Sequence, residues 1–177
     1  IDHSIAKFRY EDGYQDRRER EFYGFGKIIQ EQIDAADNSV FSTTVQEFYN
    51  RDYFRKNLVK HSYTLDKNGK MRQESENEYS FIDVATQASV SEAELNLPTC
   101  DSKSIFVALI HGSERKYEGG SDYLETNIFN TYDANGNIIQ YEDLGNGSAD
   151  DKLTAKISYY QNTTPYYGGI PKQLEVF

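Results

Sequence analysis

The sequence predicts an all-β protein, built of consecutive antiparallel hairpins forming a curved sheet, with at most one short helix. Three observations carry this expectation. Aromatic residues make up 14% of the chain, as 15 Tyr and 10 Phe without Trp, and such side chains favour pleated, half-buried surfaces. Apolar and polar residues alternate with period two in stretch after stretch, which is the pattern of a strand with one wet face. Short Asp/Asn/Gly clusters separate those stretches at hairpin spacing.

Taken in order, the elements read as follows. The first turn signal is "EDG" at Glu11–Gly13. The basic cluster "DRRER", Asp16–Arg20, has acids inside and on both sides, so it reads as a solvated strand face with cross-strand ion pairs rather than a phosphate site. "VKHSYTL" sets Val59, His61, Tyr63 and Leu65 opposite Lys60, Ser62 and Thr64. "KNG" at Lys67–Gly69 turns the chain. "SVSEAELNLP", Ser89–Pro98, holds the helix signal, with Ser89 or Ser91 as cap, acids early and Leu97-Pro98 closing it. "IFVALI", Ile105–Ile110, is the longest apolar run and far too short to span a membrane as a helix. "EGGSD", Glu118–Asp122, precedes "YLETNIFNTY", with Leu124, Thr126, Ile128 and Tyr132 on one side and Phe129 on the other. "GNGSADD", Gly145–Asp151, then leads into "KLTAKISYY", where Leu153, Ala155, Ile157 and Tyr159 share a face. About ten strands are expected by this spacing.

The 177 residues are enough to bury a real core, and no Pro/Gly-rich linker divides them. Residues 1–177 are therefore expected to be a single fragment without an internal domain boundary. The chain opens at Ile1 and ends at Phe177 directly after the strand-like "KQLEV", so it reads as a slice of a longer polypeptide whose targeting signal would lie elsewhere.

Two stretches share a D-x-N-G core: "YTLDKNGKM" with Asp66, Asn68 and Gly69, and "TYDANGNI" with Asp133, Asn135 and Gly136. An Asp in first position can accept backbone N–H bonds. The next two residues then take the type I conformation, and Gly supplies the left-handed step of a one-residue bulge. Calcium is the competing reading, and the spacing opposes it. Gly136 comes too early for a calcium loop, the twelfth position is Leu144, and Lys70 stands where a third ligand of the first copy would be. The two units form a weak internal repeat.

Other chemistry finds little purchase. A net charge of −10 argues against nucleic-acid binding. Cys100 is the sole cysteine and reads as a buried or incidental thiol. His3, His61 and His111 are far apart in sequence, and His61, on the apolar side of its strand, reads as a core histidine before a general base. No zinc spacing, phosphate loop or dinucleotide fingerprint appears. No residue supports an enzyme reading, and no cofactor or metal is expected. An acidic, Tyr-rich β-domain also suits an extracellular β-sandwich carbohydrate-binding module. Such modules often present Trp, which this chain lacks; "TTPYYGGIP", Thr163–Pro171, with Tyr166 and Tyr167, is the best patch, and it reads first as a Pro/Gly loop whose tyrosines fold over a sheet edge. A hydrolase using unassigned carboxylates is a third reading.

"FRYEDGYQDRREREFYGFGKI", Phe8–Ile28, resembles the F/Y-x-Y-x-x-G-x-x-D…R-E-F-x-G-F-x-x-V/I segment that leads into the Rhs/YD repeats of the B-component of insecticidal toxin complexes and related virulence-plasmid proteins. Phe22, Gly24 and Phe25, with Tyr132-Asp133 and Gly136-Asn137, are the most specific matches. The first hairpin departs by reading Thr64-Leu65-Asp66 where a full repeat has Tyr-Asp. The resemblance implies a non-enzymatic, structural role in a secreted or cell-surface toxin-delivery protein. There, hairpins in series wall a β-shell around a toxic polypeptide. The implied partners are the remainder of the parent polypeptide, the enclosed toxin cargo and other toxin-complex subunits, with neither nucleic acid nor membrane insertion.

Overall fold

A computed structural model of the chain describes residues 5–146, 149–160, 162–163 and 166–177, without the side chains of 149, 162, 163, 166 and 167. The strands are β1 (Ile5–Asp16), β2 (Glu21–Ile33), β3 (Val40–Phe48), β4 (Val59–Asp66), β5 (Met71–Asp83), β6 (Ile105–Tyr117), β7 (Tyr123–Tyr132), β8 (Ile138–Asp143), β9 (Leu153–Tyr159), β10 (Asn162–Thr163), β11 (Tyr166–Tyr167) and β12 (Pro171–Val176). Ten of them form one antiparallel sheet in the order β1-β2-β3-β4-β5-β6-β7-β8-β9-β12, while β10 and β11 pair as a small separate hairpin. The chain is all-β, as its alternation and turns predict. Each neighbour is the next strand in sequence except at β12, which follows the β10–β11 excursion.

One short helix, α1 (Glu92–Leu95), interrupts the strands. The Glu94 carboxylate accepts the Ser91 backbone N–H at 2.8 Å and its hydroxyl at 2.7 Å, satisfying one orphan donor of the first turn. A 3₁₀ turn at Pro98–Cys100 follows directly.

The packing divides into two compact units, Ile1–Asn77 with Glu114–Leu124, and Glu78–Ser113 with Glu125–Phe177. In the first, Tyr23, Ile29, Ile33 and Val45 are buried, and Ile29 and Val45 are register partners on β2 and β3. Each such aliphatic side chain contributes about 1.5–3 kcal/mol when withdrawn from water. In the second, Phe81, Val90, Leu95, Cys100, Ala108 and Ala155 are buried. Three of these come from the β5–β6 connection, which packs inward because Val90, Leu95 and Cys100 are spaced along it. Burial pushes the Cys100 thiol up from its ordinary range, which leaves it an inert packing group.

Two local readings change. "EDG" is not a turn: β1 runs through it, and the residue pairing with β2 shifts between Gly13 and Gln15. Asp12 takes a positive φ of +56° without breaking the register, since Glu11 pairs with Lys27 and Gly13 with Phe25, and the bulge lies just beyond, where Phe22–Phe25 of β2 oppose Gly13–Gln15. The turn lies further on, in "DRRER" itself. The Asp16 carboxylate accepts the N–H groups of Arg18 at 2.8 Å and Glu19 at 2.9 Å, so this cluster is the β1–β2 corner and not a strand face.

Candidate functional site

The β1–β2 hairpin is held by a loop from further along the chain. Residues 49–58 connect β3 to β4 and reach back over β2. The Asn50 amide is buried and donates to the carbonyls of Asp12 at 2.6 Å and Gly24 at 3.3 Å. Arg51 pairs with the Asp12 carboxylate. Lys56 lies 2.7 Å from Glu21 and above the rings of Tyr53 and Tyr23. The loop is stiffened internally by the buried pair of Asp52 and Arg55, at 2.6 Å. Gly24 has φ +91°, and a Cβ there would stand 2.7 Å from the Asn57 amide oxygen. The loop needs that glycine twice, for its conformation and for the space. Tyr23 beneath it is 1% exposed. Its hydroxyl is pushed up to about 12 by burial first, then by the charges of Asp16, Glu19 and Glu21.

On the same hairpin Phe22 and Phe25 are exposed, and they form a row of rings with Tyr10 and Phe8. Centroids lie 5.2 Å apart for Phe22 and Phe25, 4.9 Å for Tyr10 and Phe25, and 6.4 Å for Phe8 and Tyr10. Phe8 and Tyr10 share a face by alternation, whereas Phe22 and Phe25, three residues apart, come together where the pairing shifts between Gly13 and Gln15.

The two D-x-N-G corners share one geometry. The Asp66 carboxylate accepts N–H groups from Asn68 at 2.8 Å and Lys70 at 3.0 Å. The Asp133 carboxylate accepts them from Asn135 and Asn137, both at 2.9 Å. Gly69 has φ +75° and Gly136 φ +82°. The pairing slips by one residue at Thr64/Leu65 and at Thr131/Tyr132, so each corner is a turn plus a bulge. Each Asp spends one oxygen on its own backbone. The second oxygen is met by Arg72 at 2.8 Å for Asp66 and by the Asn137 amide at 3.0 Å for Asp133. For Asp133, burial pushes the carboxyl up, and the hydrogen bonds of Asn137, Asn135 and Gly136 outweigh it, so the group is held below the ordinary carboxylate range. β6 stands between the β4–β5 and β7–β8 hairpins in the sheet order. Tyr132 donates its hydroxyl to the Leu109 carbonyl at 2.9 Å and meets the ring of Phe106 edge-on at 5.3 Å. These corners are anchors of register, built from the same oxygens that suggested ligands.

A third cluster was invisible in the sequence. Glu11, Lys27, Glu47, His61 and Glu76 are successive register partners from β1 to β5. His61 is thus flanked by two glutamates in its own row, and Glu74 lies diagonally on the same face. His61 Nε2 is 3.0 Å from Glu74 Oε1, and Nδ1 is 3.6 Å from Glu47 Oε2. Glu74 Oε2 accepts the Tyr117 hydroxyl at 3.0 Å and Arg115 Nη1 at 3.3 Å. His61 is half-buried among carboxylates rather than set in an apolar core. The one available signal was "QESENEY", whose Glu74, Glu76 and Glu78 alternate onto one face.

The remaining sequence candidates fall elsewhere. His111 stacks on Phe129 at 4.5 Å and meets Asn127 at 2.9 Å. His3 and the side chains of Tyr166 and Tyr167 lie outside the described residues. Among the described residues, no helix is long and apolar enough to cross a membrane.

A sheet laid down in chain order, with acid-and-glycine corners and a loop-clamped first hairpin, defines a hairpin array. Residues 2–62 match the family described as the insecticide toxin TcdB middle/N-terminal region, the stretch that holds the clamped hairpin and its loop. In fold, the chain is similar to the crystal structure of TcdB2-TccC3 without its hypervariable C-terminal region, with a TM-score of 0.70 at 14% identity. It is similar also to the holotoxin pore of Photorhabdus luminescens, with a TM-score of 0.70 at 13% identity. Each alignment covers 98% of this chain and 12% of the other, so the chain spans about an eighth of the length of the solved chains. Among curated proteins none matches in sequence. The toxin-complex resemblance read from Phe8–Ile28 is met by the family match over that segment, and the fold likeness extends over nearly the whole chain.

Proposed function

We propose that this chain is a non-catalytic wall segment of a secreted or cell-surface Rhs-type toxin-delivery protein, one that helps enclose a toxic polypeptide. The observation that carries the reading is the sheet of chain-order hairpins whose corners fix register through Asp66 and Asp133. Such a sheet extends by adding hairpins at its ends, which is what a container wall requires. The solved structures of similar fold are toxin assemblies containing TccC3 or its complexes. By that likeness the partners here are the rest of the parent polypeptide, its cargo and companion toxin subunits. The role asks nothing of an active site: the side chains hold strands in place.

The test is protection of cargo. The parent protein is expressed with its cargo and treated with a protease, with and without residues 1–177. The proposal expects the cargo to be cleaved only when the segment is deleted. Equal protection in both would overturn it. Capture of a glycan by the intact chain, lost on Tyr166→Ala and Tyr167→Ala, would favour the carbohydrate-binding alternative instead.

A further inference from the structure

We infer that His61, Glu74 and Glu76 form a binding site for a divalent transition-metal ion of the zinc class, a staple between β4 and β5. Each offers one ligand atom, and these atoms lie within 4.8 Å of one another. Zinc holds nitrogen and oxygen ligands at about 2.0–2.2 Å, which places neighbouring ligands roughly 3.3 Å apart in a tetrahedral site. The 3.0 Å separation of His61 Nε2 and Glu74 Oε1 is close to that edge. Glu76 is the direct register partner of His61, is exposed, and has no hydrogen bond or ion pair among the described residues. A small rotation of its side chain closes the third edge. A water completes the set.

The surroundings are those that a metal-bound imidazole needs. Nδ1 of His61 faces Glu47 Oε2 at 3.6 Å, so a proton on Nδ1 leaves Nε2 free to ligate, with a carboxylate behind the ring. The second oxygen of Glu74 is held by Tyr117 and Arg115, which fixes the direction of the first. Charge points the same way. Glu47, Glu74 and Glu76 converge on one imidazole, while Lys27, 3.5 Å from Glu47, and Arg115, 3.3 Å from Glu74, supply two positive charges. A bound dication turns the remaining excess into attraction. An imidazole among the ligands favours zinc-like ions over magnesium or calcium. The site ties together strands that the Asp66 corner already joins at one end.

The experiment titrates ZnCl₂ into the intact chain by calorimetry and follows the side-chain ¹⁵N resonances of the three histidines. The expected result is one ion per chain, with only the His61 resonance displaced. Affinity should fall by more than tenfold in His61→Gln and in Glu76→Gln. Glu47→Gln should weaken binding by roughly 10–100-fold, the usual effect of losing an outer-shell partner. No uptake, uptake that displaces His3 or His111 instead, or affinity unchanged in both ligand variants would overturn the inference. The NMR readout on the unaltered protein decides the matter even if a variant fails to fold.

Discussion

At the scale of the residue, the two corners carry nearly identical hydrogen bonds but differ in what surrounds their glycines. A Cβ at Gly69 would meet nothing within 4 Å, whereas one at Gly136 would stand 3.1 Å from Phe106 Cε2. Both positions have positive φ, so both resist side chains. Gly136→Val should destabilise by roughly 1–3 kcal/mol through that conformation, with ring crowding added. Gly69→Ala should cost less than Gly136→Ala in urea melts. Equal costs would mean that Phe106 yields freely. The corners were legible in the sequence because everything they need lies within five residues: the acceptor, the turn conformation and the glycine. The His61 cluster was not. Its members stand on β3, β4, β5 and β6, and only the register brings them together.

At the scale of the element, the β3–β4 loop explains why the first hairpin has the motif it has. The positive φ of Asp12, the bulge beside Gly24 and the turn at Asp16 make the hairpin irregular, and the loop fills those irregularities with Asn50, Arg51 and Lys56. Asn50→Ala removes donors from two part-buried carbonyls and should cost about 1–3 kcal/mol, read as a lower urea midpoint with increased amide exchange in β1 and β2. Unchanged exchange in that hairpin would show that the loop does not clamp it. Sequence reading placed Phe22, Gly24 and Phe25 in a motif but could not say what the glycine was for. Its partner, Asn57, is more than thirty residues away in the chain. "EDG" was misread for a related reason. A local turn preference gives way to a strand when the chain on both sides of it has a strand to pair with.

At the scale of the whole molecule, acid should unfold the protein through its turn carboxylates. Asp16 is held below its ordinary value chiefly by the Glu19 N–H, and Asp66 chiefly by the Lys70 N–H. In Asp83 and Asp133 burial is opposed and outweighed by hydrogen bonds, with the Lys103 charge assisting at Asp83. A carboxyl depressed in the folded state stabilises fully above its unfolded value, here the ordinary 3.8, and that stability is lost as pH falls through the lower folded value. Thermal melts should therefore hold steady down to the ordinary 3.8 and fall between there and the lower folded value, and Asp133→Asn should flatten the drop. A second expectation concerns the rims. β1 and β12 each pair on one side only within the sheet, and β1 also shows Phe8 and Tyr10 to solvent. Open edges of this kind recruit further strands, so sedimentation should show association that rises with concentration and weakens in Phe8→Lys.

The order of the strands has a bearing on synthesis. Because almost every strand pairs with the one made just before it, each new hairpin can close over a short loop as soon as it leaves the ribosome, without waiting for distant segments. That keeps sequence separations small for a β-protein and favours rapid closure. A growing chain of this design can accrete its sheet in the order in which its strands are made, so the vulnerable moment of its folding is confined to whichever strand was made last.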